Sequence, residues 1–374
     1  MTPAHFFDQQ QVGQRLADAR IEAELTQSQL GEAIGLDRTA VAKIEAGTRK
    51  VSAVELAHAA AELGRPLDWF LVEAPPAVVS RRVDTAAGAR YSLRLDQAVE
   101  KAANDIEFLT EQGILTPTRT ARQLWLPRDA VDAEREAAVV RTVAGRDTGP
   151  LLGLGEVAER LGVFCFALPL GSLSGDGAYV SLGDFGVTVV NGDTDPGRRR
   201  FTLAHEIGHH LFGDEYSTDI SIADVGGEAE RRINQFAVHL LLPRQPISQQ
   251  WEASTEGPRE RAIRLGVEYR VSWSALCGQL RNLGLIDDSE RQALLNHPPT
   301  LADYLELGTG FVAELSPPSV PPCYARAVLR GYRSGRLGAN RTVDLLWDSI
   351  TNQDLPELDA LPIEAYQREF DPLP

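Results

Sequence analysis

The sequence has little of what marks a secreted or membrane-embedded protein. Its three cysteines, Cys165, Cys277 and Cys323, stand far apart and form no C-x-x-C pair. This spacing predicts reduced thiols rather than a disulfide framework or a zinc–thiolate site. No apolar run approaches the roughly 20 residues that cross a bilayer, and residues 1–11 lack the apolar core of a signal peptide. We therefore expect a cytoplasmic protein.

Positive charge is also scarce. The 374 residues include 37 lysines and arginines against 53 aspartates and glutamates, which gives a formal net charge of −16. This balance argues against broad, sequence-independent binding of nucleic acid by the whole chain. It leaves room for a small local basic surface. The length allows roughly two or three domains, each with its own hydrophobic core.

One stretch carries the pattern of a metal site, the H-E-x-x-H of His205, Glu206 and His209. Residues four apart lie on one face of a helix, so both histidines can reach one metal ion. Glu206 then stands close enough to take a proton from an attacking water. The same pattern also fits two buried histidines held by hydrogen bonds, so the metal site needs a third ligand.

A second periodic helix is predicted over residues 228–242 and offers that ligand. Steps of three and four residues from Glu230 give mostly apolar positions, whereas the same steps from Glu228 give polar ones that end at His239. Helix geometry therefore favours Glu230 as the inward carboxylate. It turns His239 away from the metal, to the surface or to a place behind the ligands.

Short apolar segments before the motif helix predict a small sheet, with a strand at 163–168 and a hairpin of 178–182 and 186–191. An exposed edge of the strand before the helix could align a substrate backbone by strand addition. The alternative is a strand that only packs under the helix. Tyr179 is a candidate oxyanion donor by its place in the hairpin alone. His210 either orients the motif glutamate or simply packs.

The first seventy residues predict a run of short helices. Thr26 and Gln29 form a capping box that begins one helix, Gly35 permits a tight turn, and Asp37 caps the next helix. Two short helices joined by such a turn form the helix-turn-helix pattern. The alternative is a helical protein-interaction module with a charged face. Four basic residues outnumber one acid in the window 38–50, which favours DNA binding.

The stretch 25–47, LTQSQLGEAIGLDRTAVAKIEAG, resembles the Xre or lambda-repressor-like DNA-binding domains. The resemblance implies that residues 37–45 form a recognition helix in the major groove of operator DNA, and that the protein is a homodimer. It implies contacts to base edges by Arg38, Thr39 and Lys43, and contacts to phosphates by Gln27, Arg49 and Lys50.

The motifs RFTLAHEIGH at 200–209, ExxxNxFA at 230–237 and LLLP at 240–243 resemble the ImmA/IrrE family of metallopeptidases. Ile233 stands where that family usually has alanine. The resemblance implies His205, His209 and Glu230 as ligands of Zn²⁺, with Glu206 as the catalytic base. The implied substrate is a protein, an Xre-type repressor cleaved in response to stress or to mobile DNA.

These patterns predict a mainly α protein with a small β-sheet (α+β). The predicted parts are an all-α helix-turn-helix domain at 9–72, a linker at 73–90, a zincin-like metallopeptidase domain at 91–250, a helix-turn-helix-like subdomain at 251–297 and a helical C-terminal extension at 298–374. A structural role is favoured for 251–297 despite its arginines, and residues 298–322 are expected to be irregular.

The predicted function is that of a DNA-binding transcriptional regulator with a gluzincin-like, zinc-dependent endopeptidase. The alternative is a transcription factor whose peptidase-like domain senses metal, ligand or partner without catalysis. An antitoxin-like or phage-defence component is a third option.

Overall fold

The computed structural model describes residues 8–23, 25–63, 65, 67–71, 80–82, 93–118, 124–171, 174–213, 223–310 and 312–358. The chain divides into two compact units, residues 1–75 and 76–374. Most of the predicted linker, and the C-terminal tail beyond residue 358, lie outside the described residues. Within the described ranges, no helix combines the length and the apolar character needed to cross a bilayer.

The first unit is a cluster of short helices. These are α1 (Gln9–Glu22), α2 (Gln27–Ile34), α3 (Arg38–Glu45) and α4 (Ala53–Glu62), followed by a 3-10 turn at Leu67–Phe70. The predicted start and turn signals are confirmed. Thr26 and Gln29 form the capping box of α2, Gly35 adopts a φ of 73°, and Asp37 caps α3. A shared apolar core that includes Leu16, Leu30, Val41, Ile44, Leu56 and Phe70 holds these helices together.

The second unit contains a four-stranded sheet with the order β1-β3-β4-β2. Its strands are β1 (Ser80–Arg82), β2 (Val163–Leu168), β3 (Gly177–Leu182) and β4 (Phe185–Asn191). The predicted hairpin is confirmed as β3 and β4. The expectation of an exposed edge on the strand before the motif helix is wrong, because that strand, β4, lies between β3 and β2. β1 was not expected, since its residues fall within the predicted linker.

Helices cover the sheet and continue to the end of the described chain. They are α5 (Leu93–Glu111), α6 (Ala130–Val143), α7 (Leu154–Arg160), α8 (Pro196–Phe212), α9 (Ala223–Leu241), α10 (Arg244–Ala253), α11 (Pro258–Tyr269), α12 (Trp273–Asn282), α13 (Asp288–Asn296), α14 (Leu301–Glu306), α15 (Pro322–Arg333) and α16 (Ala339–Leu345). The mainly α character and the small sheet confirm the predicted fold class.

Alternate side chains of the sheet enter two separate cores, as the pleat of a strand requires. Phe164 and Phe166 of β2 pack with α5, α15 and α16, whereas Val163 and Cys165 of the same strand pack with α7, α8 and α9. The sheet therefore lies between two helical layers. One of these layers carries the H-E-x-x-H motif.

The C-terminal third is part of these two cores. Leu265 of α11 and Leu276 of α12 share a core with α8 and α9, and Tyr324 of α15 packs in the other core. The expectation that residues 298–322 are irregular is only partly right. α14 lies within them, and Ser319 pairs with Ala167 of β2 through two backbone hydrogen bonds.

A buried ion pair also joins the C-terminal third to the motif helix. Arg200 of α8 is fully buried and pairs with Glu314, whose carboxylate accepts a second charged bond from Arg270 at 2.6 Å. The same carboxylate accepts the backbone N–H groups of Gly153 at 3.2 Å and Leu154 at 3.1 Å. Since α7 has no cap from its own side chains, Glu314 serves as its N-terminal cap.

Replacing Glu314 with alanine should destabilise the second unit by about 3–5 kcal/mol, because Arg200 would keep a buried charge without its partner. Thermal or urea unfolding of the full chain measures this change. Glu306→Ala removes the same charge from an exposed position of α14 and is the matched control. Equal losses for the two variants would show that the ion pair contributes little.

Candidate metal centre

The motif helix α8 has clear start and stop signals. Pro196 occupies its first turn, Asp195 accepts the backbone N–H groups of Gly197 and Arg198, and Gly213 ends the helix with a φ of 58°. Proline suits the first turn because its missing N–H would have no helical partner there. The helix is buried over most of its length, so its polar motif residues lie inside the protein rather than on its surface.

Three side chains converge at one point between α8 and α9. The Nε2 atoms of His205 and His209 lie 3.0 Å apart, and each lies 3.3 Å from an oxygen of Glu230. All three groups offer ligand atoms within 4.8 Å of one another. The two histidines are buried, whereas the Glu230 side chain is 49% exposed. The structure thus brings together the three residues that the sequence proposed as ligands.

These distances suit a tetrahedral metal ion. Bonds of about 2.0–2.1 Å from such an ion place its ligand atoms roughly 3.3 Å apart. Burial by itself raises the pKa of the Glu230 carboxyl, but the hydrogen bonds from His205 and His209 outweigh it and hold that pKa well below its ordinary value. Glu230 is therefore an anion at neutral pH, which is the form that binds a metal.

Gly208 allows Glu230 to reach the histidines. A methyl group at this position would lie 2.9 Å from Cγ2 of Ile233 and 3.2 Å from Cδ1 of Phe236, both on α9. These distances are shorter than normal carbon contacts, so a larger residue at this position would force the Ile233 side chain, or α9 itself, to shift. The position of the third ligand depends on that contact.

Glu206 is fully buried and faces the sheet. A Cβ atom built on Gly177, the first residue of β3, would lie 3.8 Å from Oε1 of Glu206 and 2.5 Å from Cγ2 of Thr202. The backbone of β3 therefore passes directly beside the motif carboxylate. Gly177 was not predicted as a site residue, because an isolated glycine at a strand end carries no signal for this contact.

Tyr179 and His210 form a buried pair beside this site. The Tyr179 hydroxyl and His210 Nδ1 lie 2.7 Å apart, and burial lowers the pKa of His210 to about 4. The other nitrogen of the neutral ring donates to the backbone carbonyl of Leu161, so Nδ1 accepts a hydrogen bond from the Tyr179 hydroxyl. Both groups are engaged with each other, which argues against Tyr179 as an oxyanion donor. His210 ties α8 to β3 and α7 instead of orienting Glu206.

Glu228 and His239, the two residues of α9 that helix geometry did not favour as ligands, point away from the metal cluster, by which we mean the candidate ligands His205, His209 and Glu230. Glu228 pairs with Arg232 one turn along the helix. His239 is not on the surface, as one of the two predicted placements had it, but is buried. Its Nδ1 lies 3.3 Å from Nε2 of Gln279 on α12. It therefore belongs to the packing of α9 against the C-terminal helices.

The predicted DNA contacts divide into two groups. The side chains implied for base edges, together with one implied phosphate contact, are exposed on α3 and just beyond it: Arg38, Thr39, Lys43 and Lys50. The other two are half-buried and already engaged. Gln27 Nε2 donates to Glu45 at 2.8 Å, and Arg49 pairs with Glu55 at 2.6 Å.

Glu45 has a structural role that the sequence did not reveal. Its carboxylate accepts a hydrogen bond from the Arg20 guanidinium at 2.6 Å and another from the Gln27 amide. Glu45 therefore joins α1, α2 and α3 at the C-terminal end of α3. The Gln27 amide nitrogen carries a second N–H that this bond does not use, so a phosphate contact is compatible with the bond to Glu45. Its assignment as a phosphate contact stays a prediction.

Two family matches coincide with these two sites. Residues 158–281 match the IrrE N-terminal-like domain of Peptidase_M78, and residues 16–70 match the helix-turn-helix family HTH_3. The chain carries a helix-turn-helix domain and an IrrE-like domain. The first match holds the whole metal cluster with β2, β3 and β4, and the second holds α2 and α3. The IrrE-like domain thus contains the residues that converge on the site.

A curated relative supports the same assignment over part of the chain. The radiation response metalloprotease IrrE of Deinococcus radiodurans is 36% identical over 133 residues, which cover 34% of this chain and 37% of that protein. Among solved structures, a Mycobacterium tuberculosis transcriptional regulator matches 48% of this chain and 51% of its own, at 19% identity and a TM-score of 0.32. Bacillus thuringiensis PlcR, in complex with the peptide PapR7 and DNA, matches 96% of this chain and 98% of its own, at 13% identity and a TM-score of 0.18. TM-scores this low do not establish a shared fold with either structure.

Gly208→Ala should separate α8 from α9 in the IrrE-like domain and displace Glu230. We expect a loss of about 1–3 kcal/mol in stability, as for other overpacked cores, together with weaker metal binding. Gly278→Ala is the matched control, because a Cβ there meets no atom within 4 Å. Calorimetry and metal titration measure the two effects. Metal affinity equal to that of the control would contradict the role given to Gly208.

Proposed function

We propose that this protein is a DNA-binding transcriptional regulator whose IrrE-like domain is a zinc-dependent endopeptidase. The observation that carries the proposal is the convergence of His205, His209 and Glu230 beside the buried carboxylate of Glu206. Two imidazoles and one carboxylate are the ligand set of many catalytic zinc sites, and three protein ligands leave a position open for water. The likeness to IrrE over part of the chain supports the same reading.

A metal held by these ligands would lower the pKa of a water molecule and polarise the carbonyl of the scissile peptide bond. Glu206 takes a proton from the attacking water and delivers it to the departing amine. Because Glu206 is fully buried, its charge is poorly screened by solvent and acts strongly on a nearby proton. Glu230 supplies the negative charge that retains the ion.

The proposed substrate is a repressor protein of the Xre type, cleaved in response to stress or to mobile DNA. The helix-turn-helix domain would bring the peptidase to an operator where such a repressor is bound, most simply as a homodimer that reads two half-sites. The exposure of the Arg38, Thr39 and Lys43 side chains supports this arrangement, because side chains that read base edges must be accessible.

In the alternative function, the IrrE-like domain senses a metal, ligand or partner and does not catalyse. The presence of Glu206 next to the ligand His205 favours catalysis, because a sensor site needs the three ligands but no base. Removing the base while keeping the ligands separates the two functions. If regulation in cells does not change in such a variant, the alternative is correct.

The full chain should bind one zinc ion per molecule, and Glu206→Gln should keep that ion while lowering the cleavage rate by about 10²–10⁴-fold. Elemental analysis measures the metal, and mass spectrometry of candidate helix-turn-helix repressors measures cleavage. Glu228→Gln makes the same chemical change outside the cluster and should behave as wild type. A protein without stoichiometric metal would refute the site.

Arg38→Ala should weaken binding to a selected DNA site by about 1–3 kcal/mol and relax the sequence specificity of the protein. Lys50→Ala should lower the slope of log affinity against log salt concentration by about one, because one phosphate contact is lost. DNA duplexes selected by the protein from a random library, titrated at several salt concentrations, measure both effects. Arg160→Ala removes an exposed charge from the second unit and serves as the control. Unchanged binding by both variants would contradict the proposed DNA surface.

A further inference from the structure

The sheet has one edge on the same side of α8 as the metal cluster. Gly208 of α8 faces α9, Glu206 faces Gly177 of β3, and Leu203 packs in the same core as Val190 of β4. These contacts fix the direction of each face of the helix. β4 and β2 therefore lie on the Leu203 side, and β3 lies over Glu206.

The two histidines occupy the remaining sector of the helix. Successive residues are about 100° apart around an α-helix, which places His205 and His209 between the face toward α9 and the face toward β3. The edge of β3 that points away from β4 is consequently the edge nearest to the histidines. An extended peptide added at this edge would lie over the metal cluster.

That edge is occupied by a segment of this chain. β1 pairs with β3 in antiparallel register, with Ser80 opposite Tyr179 and Arg82 opposite Gly177. Neighbouring strands lie about 4.8 Å apart, so the backbone of Arg82 is one strand spacing from the glycine that contacts Glu206. β1 also contacts α8 directly.

β1 does not come from the matched IrrE-like domain. Residues 80–82 lie outside the match at 158–281 and follow the first unit, which ends at residue 75. β1 thus lies before the matched residues, in the same compact unit as the metal ligands, and adds a strand to the sheet in the way that many proteins bind an extended peptide.

We propose that this chain is its own substrate, and that a peptide bond within Ser80–Arg82 is hydrolysed by the IrrE-like domain of the same molecule. The inference rests on the proposed peptidase function. The reaction breaks one C–N bond: the oxygen of water joins the carbonyl carbon, and a proton passes through Glu206 to the amine that leaves. The cut separates the helix-turn-helix domain from the metal centre.

Pairing within one chain favours this reaction. A segment already aligned beside the catalytic base needs no encounter step, and well-oriented intramolecular reactions reach effective concentrations far above those of free peptides. Cleavage should therefore be first order, with a rate that does not depend on protein concentration. Each molecule cuts once, because the product loses the covalent link to its N-terminal unit.

The test begins with the full chain, purified with a chelator and then supplied with one equivalent of zinc chloride. Intact-mass spectrometry over time should find two fragments with new ends within residues 80–82. Glu206→Gln should bind zinc and stay whole. Arg81→Lys should cut as wild type, whereas Arg81→Pro should slow self-cleavage at least tenfold, because proline removes a backbone N–H from the strand.

The same samples are also incubated with candidate helix-turn-helix repressors. Cleavage of a repressor that depends on Glu206, without self-cleavage, overturns this inference and leaves the proposed function intact. Faster repressor cleavage by Arg81→Pro, with an uncut wild-type chain, also overturns it and identifies β1 as a blocking strand. A zinc-loaded chain that cuts neither itself nor any repressor refutes both proposals.

Discussion

The close approach of α8 and α9 at Gly208 is the contact on which the metal cluster depends. Two ligands come from one helix and the third from the other, so the separation of the helices sets the distance from Glu230 to both histidines. A single added methyl group would meet Ile233 at 2.9 Å. Because protein interiors are packed as densely as organic crystals, such an overlap must displace the Ile233 side chain or the helix that carries it.

Features encoded over short stretches were predicted well. The capping box at Thr26, the turn at Gly35 and the cap at Asp37 depend on neighbours within about a turn of helix. The grouping of His205, His209 and Glu230 followed from helical periodicity on two separate helices. In each case the relevant contacts repeat at a fixed spacing that can be counted along the chain.

Contacts between distant segments were not predictable in this way. Glu314 lies in a stretch expected to be irregular, yet it pairs with Arg200 of α8 and caps α7. β1 has three residues, too few to display the alternation that identifies a strand. Tyr179 was a candidate oxyanion donor by its place in the hairpin alone, because nothing local indicates that its hydroxyl meets His210. Such pairings are decided by the folded topology and not by propensity.

The bonds of Glu314 also bear on how the protein is made. The core of the first unit is complete within residues 8–71, so it can form while the ribosome is still adding the rest of the chain. The cores of the second unit, in contrast, are completed only by residues near its C-terminal end. Until residue 314 leaves the ribosome, Arg200 has no carboxylate partner and α7 has no cap. A chain that is truncated before this residue would thus have a folded helix-turn-helix unit and an incomplete second unit.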